Sequence, residues 1–258
     1  MSPLRYVYGI ARAGDAARVA SAGLTGIDEA PVGCVVEGTL FAAASDVDEA
    51  EYGETVLNER VRDLEWLAVR AAQHQAVNGR LLDLLGTVLP LSFGAIYRDD
   101  ERVRQMLRED AGDRGAQLAS LAGRAEWVVT ISRDSQAPVD DADVRALDAQ
   151  IEASPPGRAF LLDKQRGTTL SRSMERRDSE AVAAALAELE GVAERTYREP
   201  VSAGGTDTVA LRASILVARD REAALVKAIG ELERGLGERG YRVRASGPWP
   251  AYRFGGMS

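Results

Sequence analysis

The longest periodic pattern of apolar residues in the chain covers residues 58–86 and predicts an amphipathic helix of about 27 residues. Asn58 is its expected N-cap, and Gly86 is expected to end it. Charged and amide side chains occupy most of the remaining positions, so one face should be buried and the other solvated. The apolar stripe consists of Leu64, Leu67, Ala71, Leu81 and Leu85.

A strand is predicted soon after this helix, from Leu89 to Tyr97. Its alternation places Leu91 and Phe93 on the same side as Leu89. Pro90 has no N–H group to donate to a neighbouring strand. The strand should therefore begin after the proline or lie at an edge of its sheet.

The residues before the long helix predict three strands and a short helix. In the first strand, Tyr6 and Tyr8 share a face with Ile10, and the opposite face is also apolar, which favours an interior position. Together with the long helix and the strand after it, these elements give the order βαββαβ. That order is typical of a ferredoxin-like domain, here over residues 1–98. The predicted strands cover residues 5–11, 32–37 and 39–44, and the short helix covers residues 16–22.

Residues 99–123 are predicted to form a helical connector that begins at the Asp99-Asp100 pair. Gly112 and Gly115 each weaken it by about 1 kcal/mol relative to alanine, so the helix should be broken in two. The element order then repeats as βαββαβ, which predicts a second ferredoxin-like domain over residues 124–246. Its strands are predicted at residues 126–132, 192–200, 208–218 and 241–245, and its helices begin at Asp140 or Asp141, at Ser154 and at Asp220.

The helix that begins after Ser154 contains a weak segment. Gly167-Thr168-Thr169 and a run of charged residues interrupt its apolar pattern. Glycine and β-branched threonine are poorer helix formers than alanine or leucine. The middle of this helix is therefore predicted to be disordered. The predicted fold class is α+β, with two tandem ferredoxin-like units joined by a helical connector.

The C-terminal residues 247–258 are predicted to form an extended tail, because Pro248 and Pro250 favour an extended backbone. Its three aromatic side chains are costly to leave in water. The tail should therefore fold back over its own domain or dock on a partner protein, and both can hold at once. The candidate partner-binding residues are Trp249, Tyr252 and Phe254 in the tail and Leu91 and Phe93 on the predicted edge strand.

Charge and composition narrow the class of protein. The 258 residues are 45% hydrophobic and 28% charged, which is a globular balance. The net charge of −8 disfavours a general nucleic-acid binder or a binder of anionic membranes. The single cysteine, Cys34, lies in an apolar run and is expected to be a buried, reduced thiol. With no signal-peptide core and no apolar run near 20 residues, a cytoplasmic protein is predicted.

Residues that could carry catalysis or bind a metal are few. His74 is the only histidine, and its position at the edge of the apolar stripe indicates a structural role. Residues 235–240 match G-x-G-x-x-G, but here the motif ends a helix and precedes a strand, the reverse of a dinucleotide site. Asp46-Val47-Asp48 resembles the start of a calcium loop, but Ala50 occupies the place of the third ligand. The sequence therefore predicts no catalytic residue, no cofactor and no metal site.

Five blocks of residues, in this order, resemble the gas vesicle protein L/F family over nearly the whole chain. The chain departs from the family pattern at Ser92, where arginine is common, at Ala251, where a further proline is usual, and at Gly167-Thr168-Thr169, where the family has a continuous charged helix. The five blocks are Tyr6-Val7-Tyr8-Gly9-Ile10; His74 followed by residues 87–94; Gly123-Arg124-Ala125-Glu126-Trp127; Gly157-Arg158-Ala159-Phe160-Leu161; and Gly247-Pro248-Trp249-Pro250.

The resemblance implies a non-enzymatic accessory or minor structural protein of gas vesicle assembly. Such a protein binds the small, very apolar major shell protein, helps nucleation and limits aggregation, with other gas vesicle accessory proteins as further candidate partners. Exposed strand edges and an aromatic tail could bind such an apolar protein by strand pairing or by burial in a groove. A small-molecule-binding regulatory module built on tandem ferredoxin-like domains is the alternative function. An enzyme is the third class, disfavoured by the lack of titratable site candidates.

Overall fold

Nine strands and ten α-helices are formed by the residues that this computed structural model describes, which are 3–134, 141–201 and 208–255. These residues divide into two units. None of the described helices has the length and apolarity to cross a membrane. The first unit contains residues 3–127, 216–219 and 247–255, and the second contains residues 128–134, 141–201, 208–215 and 220–246.

The first sheet is antiparallel and has the strand order β2-β3-β1-β4, with the short β5 also paired to β1. Helices α1 and α4 belong to this unit, as do α5 and α6. The strands are β1 (Leu4–Arg12), β2 (Gly33–Glu37), β3 (Leu40–Val47), β4 (Leu89–Pro90) and β5 (Ile96–Tyr97), and the helices are α1 (Ala16–Ser21), α2 (Glu49–Tyr52), α3 (Glu54–Arg60), α4 (Leu64–Leu85), α5 (Asp100–Glu109), α6 (Ala111–Ser120) and α10 (Tyr252–Gly255).

The central strand β1 is buried on both faces, as its two apolar faces predicted. Its alternation changes sides at a bulge next to Tyr8. Tyr6 and Tyr8 enter one core cluster, whereas Val7 and Ile10 enter the other. The predicted face shared by Tyr6, Tyr8 and Ile10 is therefore wrong, because the extra residue of the bulge inverts the alternation.

Helix α4 begins later than predicted. Its N-cap is Asp63, whose side chain accepts hydrogen bonds from the N–H groups of Glu65 and Trp66, so Asn58 is not the cap and lies within α3. Gly86 ends the helix in the left-handed conformation, as predicted. Leu64 does not belong to the predicted buried stripe but is 78% exposed, whereas Trp66 in the same turn is buried. The buried residues are Trp66, His74, Val77, Asn78, Leu81 and Leu82.

The predicted strand from Leu89 to Tyr97 is split into β4 and β5. Both pair only with β1, so the edge position is confirmed, but a turn closed by Ala95 N–H and Ser92 O (3.3 Å) separates them. The turn also ends the predicted alternation. Leu91 packs in the core cluster of Val7, whereas Phe93 packs against the cluster of Tyr6.

The second sheet has the order β7-β8-β6-β9. When the four strands are numbered from β6, this order is second, third, first and fourth, the same as in the first sheet. The strand over 208–218 and the helix that begins after Asp141 are confirmed, whereas Asp220 lies in a 3₁₀ turn and does not cap α9. Asp140, the other predicted start, lies outside the described residues. The elements are β6 (Arg124–Arg133), α7 (Ala142–Glu152), α8 (Pro156–Glu190), β7 (Arg195–Arg198), β8 (Thr208–Ala218), α9 (Glu222–Gly237) and β9 (Tyr241–Trp249).

Helix α8 is continuous for 35 residues, so the predicted break and disorder at Gly167-Thr168-Thr169 are wrong. Thr168 donates its hydroxyl hydrogen bond to Lys164 O (3.2 Å) within the helix. A Cβ atom at Gly167 would meet nothing within 4 Å, so the glycine marks no close contact. The helix begins at Pro156 without a side-chain cap, and Ser154 donates to Gln150 O instead.

The predicted connector and tail are parts of the first unit. The connector is broken as expected, into α5 and α6, and Asp99 caps α5. The last strand does not stop at residue 245, because β9 continues to Trp249, and α10 follows. The tail is therefore not extended throughout, and it packs on the first unit rather than on the second; its residues 256–258 lie outside the described range. Cys34, which was expected to be buried, is only half-buried, and its thiol donates to Ala16 O at 3.6 Å.

We expect Gly167→Ala to raise the free energy of unfolding by up to about 1 kcal/mol, because alanine is the better helix former and the added methyl group meets no neighbour. The matched substitution Gly86→Ala should lower it by about 1–2 kcal/mol, since Gly86 is left-handed at φ 74°. Urea unfolding measures both. An unchanged midpoint for Gly167→Ala would mean that this part of α8 is not helical.

Candidate docking groove

Helix α4 has a buried inner face, mostly apolar with two polar residues, and an outer face of small residues. Ala72, Ala76 and Gly79 recur at intervals of four and three residues, which places them along one side of a helix. They form the floor of a groove of about 530 Å³ whose opposite wall is Pro248 and Trp249. The groove is therefore built by α4 and the C-terminal segment.

The rim of the groove carries few charges. Arg80 and Asp83 lie there and approach each other at 3.8 Å, and both are largely exposed. A Cβ atom at Gly79 would meet nothing within 4 Å, so the floor is open at this residue. A larger recess of about 950 Å³ lies beside α5, but arginine and carboxylate side chains line it, among them Arg98 and Glu101. The groove on α4 is the more suitable of the two for an apolar partner.

The C-terminal segment that carries Trp249 is fixed on both sides of it. Before it, a Cβ atom at Gly247 would lie 2.7 Å from the indole ring of Trp127, which leaves no room for a side chain. After it, the N–H of Arg253 donates to the buried carboxylate of Glu126 at 2.7 Å. Ala251 is buried in the cluster of Leu89, Leu91 and Leu121, against which Phe254 also packs. This wall of the groove is therefore anchored to the core.

The structure separates the five predicted partner-binding residues. Trp249 lines the groove and is half-buried. Tyr252 and Phe254 are half-buried on the inner side of the segment, and Leu91 is 4% exposed, so its side chain serves the core. Phe93 packs against the other core cluster. Of these five, only Trp249 lines the groove, and partner binding by the others stays a prediction.

The floor residues were not predicted, because alanine and glycine offer little apolar surface and no reactive group. The spacing of Ala72, Ala76 and Gly79 is the signal that could have found them. This spacing indicates an exposed face of small residues only when the opposite face of α4 is known to be buried.

A buried hydrogen-bond network fixes the inner face of α4. His74 Nε2 donates to Leu91 O (3.1 Å), since a carbonyl can only accept, and Nδ1 then accepts from the hydroxyl of Tyr6 (2.9 Å). Tyr6 in turn accepts from the N–H of Gly94 at 3.1 Å. Both ring nitrogens of His74 are therefore bonded, and burial lowers its pKa to about 4.

Asn78, one turn further along α4, binds the backbone of the central strand. Its amide nitrogen donates to Tyr8 O at 3.1 Å, and the residue is fully buried. The approach is close, because a Cβ at Gly9 would lie 2.8 Å from Asn78 Oδ1. Burial raises the pKa of Tyr252 to about 12, and the side chain of Asn78 offsets part of that increase. The hydrogen bonds of this network join α4 to β1 and to the backbone at Leu91.

The network offers little for catalysis. Its histidine is neutral and bonded at both nitrogens, and burial raises the pKa of Tyr6 well above its ordinary value. No group of three or more His, Cys, Asp or Glu side chains that could hold a metal ion occurs among the described residues. Asp48 caps α2, and Asp46 pairs with Arg5, which accounts for both carboxylates of the apparent calcium loop. The G-x-G-x-x-G segment spans the end of α9, as predicted.

One protein family and two known proteins match nearly the whole chain. The family described as "Gas vesicle synthesis protein GvpL/GvpF" matches residues 4–255. Gas vesicle protein L of Streptomyces sp. (strain CB03234) is 34% identical over 264 residues, covering 99% of this chain and 94% of that protein. Gas vesicle protein F of the same strain is 29% identical, and the match covers 96% of this chain and 98% of that protein.

Two solved structures share the fold. The crystal structure of the gas vesicle protein GvpF from Anabaena sp. PCC7120 superposes with a TM-score of 0.70 at 19% identity, covering 100% of this chain and 98% of that one. GvpF from Microcystis aeruginosa gives a TM-score of 0.68 at 19% identity with full coverage of both chains. At this identity, the likeness is one of fold.

We expect Gly247→Ala to destabilise the first unit by about 1–3 kcal/mol, because φ is 149° and the new methyl group would overlap the ring of Trp127. Gly115→Ala is the matched control, since a Cβ there meets nothing within 4 Å. Chemical unfolding followed by tryptophan fluorescence measures both. Equal stability of Gly247→Ala and the wild type would contradict the anchored position of the segment.

The low pKa of His74 predicts a pH dependence of stability. The unfolded chain, with an ordinary pKa near 6.5, binds the proton more tightly than the folded chain does, so this stability is complete above about pH 6.5 and is lost as the pH falls towards about 4. From pH 7 to 5, the unfolding free energy of the wild type should fall by roughly 2 kcal/mol more than that of His74→Gln. Urea unfolding at both pH values measures this, and parallel losses would contradict it.

Proposed function

This chain belongs to the gas vesicle synthesis protein GvpL/GvpF family, and from that premise we propose that it is a non-enzymatic accessory protein that binds the major shell protein and supports vesicle nucleation and assembly. Its role is related to gas vesicles. The observation that carries the finer proposal is the groove formed by α4 and Trp249. Other gas vesicle accessory proteins are further candidate partners.

The groove suits an apolar segment of the shell protein. Its floor of Ala72, Ala76 and Gly79 lets a partner backbone approach closely, and its wall offers an indole ring. Burying each side chain of the size of valine or leucine there contributes about 1.5–3 kcal/mol before ordering costs. Two or three such side chains hold a segment reversibly, which suits a protein that must limit aggregation and then release the shell protein into the growing vesicle.

The titratable residues of the first unit support a non-enzymatic role. His74 is buried between Tyr6 and Leu91, away from solvent. Tyr52 donates to Asp28, which also accepts from Arg70 at 3.0 Å. These groups satisfy one another, whereas catalysis requires groups that converge on a free space where a substrate can lie.

We also propose that the two sheets are tandem ferredoxin-like units. Both follow the order of second, third, first and fourth strand. The helices between the first two strands and between the last two complete βαββαβ in each case. Among the described residues, the first connection of the second unit contains two helices, α7 and α8, where that of the first unit contains α1.

A small-molecule-binding regulatory module remains the alternative function. The groove volume of about 530 Å³ lies within the range of about 300–1,000 Å³ that is usual for ligand pockets. A ligand site normally adds a few convergent polar groups. Here the polar side chains, Gln75, Arg80 and Asp83, lie at the rim, which favours the apolar protein segment.

We expect Gly79→Phe to weaken binding of the shell protein by about tenfold or more, because the new ring fills the groove without displacing the core. Gly79→Ala is the matched control: it should raise stability by up to about 1 kcal/mol and leave binding intact. Purified protein is added while the shell protein is diluted from denaturant. Light scattering then reports suppression of aggregation, and co-sedimentation reports binding.

Circular dichroism must show that both variants are folded. If folded Gly79→Phe protects the shell protein as well as the wild type does, the groove is not the docking surface. If neither the variants nor the wild type bind the shell protein, the proposed function itself fails. Thermal stabilisation of the wild type by a small molecule, absent in Gly79→Phe, would instead favour the regulatory module.

A further inference from the structure

The first half of α8 exposes two large apolar side chains. Phe160 is 72% exposed and Leu161 is 66% exposed, close to the start of the helix at Pro156. No residue from 156 to 172 is buried. Adjacent apolar residues at such exposure have no role in holding this half of the helix to the core, so they are available for a contact outside the chain.

Helix α7 packs along only one side of this half of α8. Arg166 pairs with Asp148 of α7, and the half-buried residues Ala159, Leu162 and Thr169 lie on the same side at helical spacing. The exposed apolar pair lies on the other side. Lys164 follows Phe160 and Leu161 by four and three residues, so it belongs to their face.

This outer face is positively charged on an acidic protein. Between residues 156 and 172 there are four basic residues and one acidic residue, whereas the whole chain has a net charge of −8. The basic residue Arg166 is paired with Asp148. Among the described residues, no carboxylate lies within ion-pair distance of Arg158, Lys164 or Arg172. A partner with carboxylates would therefore neutralise charges that no described carboxylate pairs with.

We propose that the outer face of α8 around Phe160, Leu161 and Lys164 is a docking surface for an acidic amphipathic helix of another protein. An apolar stripe on that helix covers Phe160 and Leu161, and its carboxylates meet Lys164 and Arg172 further along. A lipid surface fits less well, because the apolar residues occupy one turn instead of a stripe along the helix. The inference does not rest on the groove of α4.

The probe is a fluorescein-labelled peptide helix of about five turns, with leucine at helical spacing and glutamate elsewhere. A scrambled peptide of the same composition and a Leu/Lys peptide of the same pattern are its controls. Fluorescence anisotropy with the full chain should show the patterned acidic peptide binding about tenfold or more tightly than either control, and more weakly as salt rises. Phe160→Ser with Leu161→Ser should weaken binding by about tenfold or more, and Lys164→Glu by severalfold.

Leu64→Ser is the matched control variant, because Leu64 is 78% exposed on a different helix, and it should bind like the wild type. Equal binding of the patterned and scrambled peptides, or no loss in the α8 variants, would overturn the proposal. So would binding only to vesicles with about 30% anionic lipid, or self-association in sedimentation velocity that the α8 variants abolish. Those results would assign the face to a membrane or to a second copy of the chain.

Discussion

The burial of β1 on both faces is the constraint on which the first unit depends. A strand covered on both sides needs neighbours with matching apolar surfaces above and below the sheet. Ordinary alternation points Tyr6 and Tyr8 into the cluster that α4 covers, and the bulge next to Tyr8 sends Ile10 to the opposite cluster. Two tyrosine hydroxyls are thereby placed inside the core, and each must find a hydrogen-bond partner there.

The hydroxyl of Tyr6 accounts for the buried histidine of α4, and the backbone carbonyl of Tyr8 accounts for its buried asparagine. Tyr6 donates to His74, and Tyr8 donates to Ser45 at 3.1 Å while it accepts from the N–H of Ile27 at 2.8 Å. Replacing one partner by an apolar residue would leave the other unsatisfied, which costs about 1–3 kcal/mol. The members of the network therefore depend on one another. Their hydrogen bonds fix how α4 packs on the sheet.

Features that depend on local periodicity could be predicted from the sequence. Features that depend on strand register or on contacts between distant residues could not. Element order, the clear strand over 208–218, the Gly86 stop and the broken connector followed from spacing and from glycine. The bulge in β1 could not be predicted, because one unpaired residue changes no composition. The split after Pro90 and the start of α4 at Asp63 depend on tertiary hydrogen bonds and on competition between caps. Continuity of α8 was missed because tertiary support from α7 outweighs weak local propensity.

The candidate groove shows how such interior constraints shape the outer face of a helix. If α4 were rotated by one residue, about 100°, His74 and Asn78 would lose Leu91 O and Tyr8 O, and the small residues would turn away from Trp249. The two carbonyl groups therefore fix the rotation of the helix, and that rotation places Ala72, Ala76 and Gly79 on the outside. Buried residues thus determine which face of α4 lies outside. His74, the only histidine of the chain, is in this sense a structural residue on whose internal hydrogen bonds the shape of the groove depends.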